Sequence, residues 1–178
     1  LLAWPEDGWM YELVEGRLVR MPSCGGEASL VAGNLLAEVV LFLRTHKLGR
    51  ATGSDGTYNL TQPDDTEETA LVPDVAFVRA DRVPARTSPE FAKAWRLAPD
   101  LVAEVVSPSQ YRPEMAAKAK RYLEAGVRLV WIVWPKYQQV DVWRTGADQP
   151  IATLKLGDAL DGLDVLPGFS YALSDLFE

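Results

Sequence analysis

The chain has 178 residues, 48% of them apolar and 24% charged, which suits one folded domain over residues 1–178 with a sizeable core. One histidine and one cysteine exclude an internal disulfide, a Cys/His zinc set and any mechanism needing two histidines. A net charge of −7 argues against a protein that coats nucleic acid without specificity, but not against a nuclease, whose metal-binding acids add to the negative count.

In chain order, Met10 to Met21 predicts a hairpin turning at Glu15-Gly16. Ser29 to about Thr45 predicts an amphipathic helix through Leu30, Val31, Leu35, Val39 and Leu43, with Gly49 as a stop just beyond. His46 near its end suits the helix dipole better than a serine-protease triad. Thr57 to Leu60 reads as a short strand, Thr61 to Thr69 as an acidic loop, and Leu71 to Val78 as a strand. After an irregular stretch with a short helix around Phe91 to Trp95, Leu101 to Val106 is a strand and Glu114 to Ala125 a helix ending at Gly126. Leu129 to Trp134, Val140 to Arg144 and Ala152 to Leu156 are strands, and Ser174 is placed to cap a last helical turn. The order strand, helix, strand over Leu101 to Trp134 is a βαβ pattern, hence an α/β fold with a mixed sheet flanked by helices. No run reads as long and apolar enough to span a bilayer, and the opening residues carry no export signal, so a cytoplasmic location is expected.

Two acids stand where apolar residues belong. Leu101-Val102-Ala103-Glu104-Val105-Val106 is otherwise apolar, so Glu104 faces a covering layer. In Val72-Pro73-Asp74-Val75-Ala76-Phe77-Val78 the proline puts Asp74 at the mouth of a strand. If the strands are neighbours, the carboxylates converge, and they repel unless one is protonated or a cation lies between them. A hard ion such as Mg²⁺ or Mn²⁺ fits oxygen ligands. An ion pair between Glu104 and Lys118 is the purely structural alternative. Lys118 lies one turn before Tyr122 and borders the buried side of its helix, where it either snorkels or stands beside the acids. Lys120 is placed to pair with Glu124 in solvent.

These stretches resemble the Uma-type restriction endonuclease family, assigned to the PD-(D/E)xK nuclease superfamily. The resemblance runs through Tyr11-Glu12-Leu13-Val14-Glu15-Gly16-Arg17-Leu18-Val19, Pro73-Asp74-Val75-Ala76-Phe77-Val78 and Ala98-Pro99-Asp100-Leu101-Val102-Ala103-Glu104-Val105-Val106-Ser107-Pro108-Ser109. It continues through Lys118, Tyr122, Ala125-Gly126-Val127 and Val130-Trp131-Ile132-Val133 to Leu166-Pro167-Gly168-Phe169 and Leu176-Phe177. It implies a restriction-endonuclease-like core with an N-terminal β-hairpin, Asp74 as the motif aspartate and Glu104 as the motif glutamate. The lysine usual two residues after that glutamate is replaced by Val106, which points to Lys118 on the following helix. Tyr122 is similar to the tyrosine of a helical Gln-x-x-x-Tyr element. Glu12 matches a common glutamate of the opening hairpin, with no role assigned. The family often has a histidine where Ala28 stands, and Asp before the proline where Trp134-Pro135 stands.

The function this implies is Mg²⁺- or Mn²⁺-dependent phosphodiester hydrolysis, with DNA as the substrate. Asp74, Glu104 and the Val105 carbonyl would hold the metal, and Asp74, Glu104 and Lys118 would form the catalytic set. A nuclease fold kept only for binding DNA or protein, and a hydrolase of another phosphate ester, are the alternatives. A homodimer or other homo-oligomer is expected. Glu27 is either a third acid for the metal or a helix-dipole residue. Asp64-Asp65-Thr66-Glu67-Glu68 reads as a solvated loop, Trp131 and Trp134 as packing residues, and Gly25-Gly26 as no phosphate loop.

Overall fold

The computed structural model describes residue 7, residues 9–21 and residues 25–178. Cys24, the one cysteine, lies outside that set. In chain order the elements are β1 (Tyr11–Val14), β2 (Arg17–Arg20), α1 (Gly26–His46), β3 (Gly49–Gly53), β4 (Tyr58–Asn59), β5 (Ala70–Leu71), β6 (Val75–Arg79) and β7 (Leu101–Val105). They continue as α2 (Arg112–Glu124), β8 (Leu129–Trp134), β9 (Gln139–Arg144), β10 (Ala152–Leu154), β11 (Ala159–Asp161), β12 (Ser170–Ala172) and α3 (Leu173–Leu176).

A six-stranded sheet runs in the order β10-β9-β8-β7-β6-β3, and its one parallel pair is β7 with β8, joined by α2. The βαβ expectation is met, and the fold is α/β with a mixed sheet, flanking helices and an N-terminal hairpin. β8, and β7 apart from Glu104, are apolar because they feed two cores. Leu101, Ala103, Val105, Leu129, Trp131 and Val133 pack with α1, while Val102, Val130, Ile132 and Trp134 pack with α2. Trp131 and Trp134 are thus core residues, as their strand positions suggest.

A four-stranded sheet, β2-β1-β5-β4, stands beside the first. The hairpin turns at Glu15 and Gly16, with φ of 49° and 72°, the left-handed pair a tight two-residue turn requires. Leu71 to Val78 is not one strand. Pro73 lacks a donor, so β5 ends in the smaller sheet and β6 starts in the larger one, with Val72-Pro73-Asp74 as the passage between them.

Other boundaries moved for physical reasons. α1 begins at Gly26 and stops at Lys47, whose φ of 56° turns its N–H onto the Leu43 carbonyl. Gly49 instead opens β3, an element the sequence pattern does not announce; a side chain there would collide with the Val78 carbonyl of β6. The β11/β12 pair also carries no alternation to announce it. The helical turn near Phe91 is a 3₁₀ turn at Pro89–Ala92, capped by Ser88. Ser174 lies inside α3, where Ala172 holds the cap position. α1 has 21 residues and is, by length and composition, long and apolar enough to cross a membrane, contrary to the sequence reading. Its stripe of Ala28, Val31, Leu35, Val39 and Leu43 packs on the sheet, which accounts for one apolar face. Leu30, Gly33, Ala37 and Leu41 form an outward face that is exposed.

Candidate active site

β6 and β7 pair antiparallel, with Val75 opposite Ala103, so the next pair in that register is Asp74 and Glu104. Residues opposite one another share a face, and the neighbouring Ala76 and Val102 belong to the core under α2. Asp74 and Glu104 therefore lie on the α2 side, side by side across one strand spacing, about 4.8 Å. The ladder ends at this point because Pro73 follows in the register. The Val105 N–H, left without a strand partner, donates to Asp74 Oδ2 at 2.6 Å.

α2 crosses above them. Its Met115, Ala119 and Tyr122 face inward at helical spacing, and Lys118 rides the border of that stripe. Tyr122 donates its hydroxyl to Glu104 Oε1 at 2.6 Å, and Lys118 Nζ donates to Glu104 Oε2 at 3.0 Å. A third acid arrives from the other sheet. Glu12, on β1, accepts from Lys118 Nζ at 2.9 Å and from the Val72 N–H at 3.1 Å, both through Oε1. Side-chain exposure is 13% for Lys118, 10% for Glu12 and 6% for Glu104, so these charges are largely withdrawn from water.

The electrostatics follow from that withdrawal. Burial raises the Glu104 carboxyl to about 8, against the opposing pull of Lys118. Burial raises Asp74 as well, offset in part by the Val105 N–H and Lys118. Burial alone would lower the Lys118 ammonium, but Glu104 and Glu12 outweigh it and hold the lysine above its ordinary value. Burial, then the nearby carboxylates, push the Tyr122 hydroxyl up, so it remains a donor.

Three carboxylates against one ammonium leave an excess of two negative charges when all are ionised. A divalent cation balances that excess, and the donor set is all oxygen, which suits a hard ion. Asp74 Oδ1 has no hydrogen-bond partner among the described residues, and the bonded oxygens of Asp74 and Glu104 each accept a single bond and keep a lone pair. Among the described residues no three acids, histidines or cysteines gather into a complete metal cage. Asp74 and Glu104 offer two facing carboxylates, a donor set that suits an ion such as Mg²⁺, which commonly keeps several of its waters.

Other acids are accounted for structurally. Asp100, at the far end of β7, is matched by Arg82 at 2.9 Å and accepts the Arg79 N–H at 2.9 Å. Asp141, which the sequence reading did not single out, accepts from Trp134 Nε1 at 2.8 Å, Arg112 at 3.0 Å and Thr153 at 2.6 Å. Its only sequence signal is a charge inside an apolar strand. Glu27 is exposed on the first turn of α1, away from the α2 side of the sheet. Asp64, Asp65 and Glu67 are exposed, as a solvated loop should be. Lys120 forms no ion pair with Glu124 among the described residues. A cleft of about 270 Å³ between that loop and the end of α2 is lined by Glu15, Asp65, Glu67 and Glu124 against Arg121, the wrong sign for a phosphate.

The family model described as "Uma2: Putative restriction endonuclease" matches residues 1–174. No curated protein matches the chain. A crystal structure of a putative nuclease belonging to DUF820 from Anabaena variabilis ATCC 29413 is similar in fold, with a TM-score of 0.80 and 21% sequence identity. The match covers 98% of this chain and 93% of that one.

Proposed function

The chain belongs to the Uma2 family, and from that premise we propose that it is a metal-dependent nuclease hydrolysing phosphodiester bonds in DNA. The observation that carries the reading is the direct opposition of Asp74 and Glu104 where the β6/β7 ladder ends, with Lys118 against Glu104. Asp74, Glu104 and the Val105 carbonyl would hold Mg²⁺ or Mn²⁺. When bound, such an ion offsets the charge of a phosphate and acidifies water near it.

The chain's own groups do the rest. Asp74 is fixed by the Val105 N–H, which sets the direction of its free oxygen. Tyr122 fixes the Glu104 carboxylate by a short bond from a group that does not ionise in the working range. Lys118 remains charged and donates up to three hydrogen bonds. It is placed to orient an attacking water or to stabilise charge developing on the phosphate. The low exposure of these groups strengthens each interaction.

Incubation of the purified chain with supercoiled plasmid and Mn²⁺ should give nicked and linear products. Asp74→Ala should reduce cleavage by at least about a hundredfold. Cleavage by Asp74→Ala at the wild-type rate would refute the assignment. The competing reading, a nuclease fold kept for binding, draws on Glu104 having both oxygens on protein donors. Such a module should show no rise in melting temperature on adding Mg²⁺. We further propose that the chain is a single domain that self-associates through the outward face of α1.

A further inference from the structure

Lys118 is held by two acids that come from different sheets, and their circumstances differ. Glu104 lies on β7, opposite Asp74 in the ladder, with its other oxygen on Tyr122. Glu12 lies on β1, opposite Val19 in the hairpin, and shares no strand pairing with β6 or β7. Its Oε1 is fixed by the Val72 N–H at 3.1 Å, in the same passage that leads through Pro73 to Asp74. We propose, on the nuclease reading above, that Glu12 is the positioning residue for Lys118, keeping the ammonium at the site when the Glu104 carboxylate is engaged by a divalent cation.

The need for such a residue is electrostatic and entropic. A cation on Glu104 takes the lysine's partner and also repels the ammonium. A long lysine side chain regains rotamer entropy by swinging away. An anchor outside the cation's own ligand set removes that escape, and the geometry supplies one at 2.9 Å. Glu12 is itself 7% exposed, a costly place for a carboxylate used only to pin a hairpin. The hairpin already has the β1/β5 pairing and the Gly16 N–H on the Glu68 carbonyl to hold it.

Glu12→Gln separates the two uses, since the amide oxygen still accepts from Val72 while the charge is gone. The variant should fold, melt within a few degrees of wild type and show the same Mn²⁺-dependent rise in melting temperature. Its kcat on plasmid should fall by about ten- to a hundredfold, with KM within about threefold. In a Lys118→Met background the same change should cost less than about twofold, because a residue acting through the lysine has nothing left to act on. Glu12→Asp, which keeps the charge with a shorter reach, should recover part of kcat, and it serves as the test variant if the glutamine variant does not fold. Wild-type kcat in Glu12→Gln would overturn the proposal, as would a Glu12→Asp kcat no higher than that of Glu12→Gln. So would loss of the Mn²⁺ response, which would make Glu12 a metal ligand, or full additivity with Lys118→Met, which would make it structural. If wild type cuts nothing, the nuclease reading falls and this one with it; if wild type and Glu12→Gln cut alike, only this one falls.

Discussion

Glu104 is the residue on which the competing forces are clearest. In the fold its carboxyl is raised to about 8, above its ordinary value of 4.5, by burial first and then by Glu12 and Asp74, against the pull of Lys118. A group raised in the fold binds its proton more tightly there than in the unfolded chain. The stability this contributes is complete below the ordinary carboxyl value and is lost as pH rises through about 8. Without divalent ions the melting temperature should therefore fall, by several degrees, between about pH 5 and about pH 8. Glu104→Gln should flatten that slope, and Mg²⁺ should oppose it by stabilising the ionised form. Scanning fluorimetry across pH, with and without Mg²⁺, measures all three; a wild-type slope equal to that of Glu104→Gln would contradict the assignment. Asp100 is as deeply buried, and there Arg82 lies 2.9 Å from the carboxylate.

At the scale of elements, the sequence was legible where the pattern was strong. The hairpin, α2, β7 and β8 follow from turn residues, helical spacing and apolar runs. Asp74 and Glu104 were legible as acids out of place, and Lys118 as a lysine on a buried border. Glu12 was not, because a glutamate in an alternating hairpin is an ordinary outward residue until the second sheet is seen to close on it. Asp141 was hidden for the same reason, since its partners lie on α2 and β10. β3 was missed because Gly-Arg-Ala-Thr-Gly has low strand propensity, and its place is set by close approach to β6. That approach makes a testable demand. Gly49→Ala puts a methyl into the Val78 carbonyl and the Phe77 ring, so β3 must shift or detach. The cost should be about 2 kcal/mol or more by urea denaturation. A change under about 0.5 kcal/mol would mean that the strand relaxes freely.

For the whole molecule, the outward face of α1 is an apolar surface that the described residues leave uncovered. Leu30 is 57% exposed and Leu41 54% exposed, with Gly33 and Ala37 between them. Two such faces could approach closely about a two-fold axis, since the space where a Gly33 side chain would stand is open. Light scattering should report a dimer at micromolar concentration, and Leu41→Glu should shift it to the monomer mass while leaving metal-dependent stabilisation intact. A monomer for both proteins would remove the homodimer proposal without touching the nuclease one.

The short passage Val72-Pro73-Asp74 has an implication for how the molecule matures. It ties Glu12 of one sheet to Asp74 of the other, and the four grouped side chains at positions 12, 74, 104 and 118 are far apart in sequence. Contacts between distant positions form late, after local helices and hairpins have appeared. A nascent or partly refolded chain would thus own its hairpin and its long helix well before it owned a competent centre. On the nuclease reading, cleavage would be the last property a refolding chain regains, after its two sheets have come together.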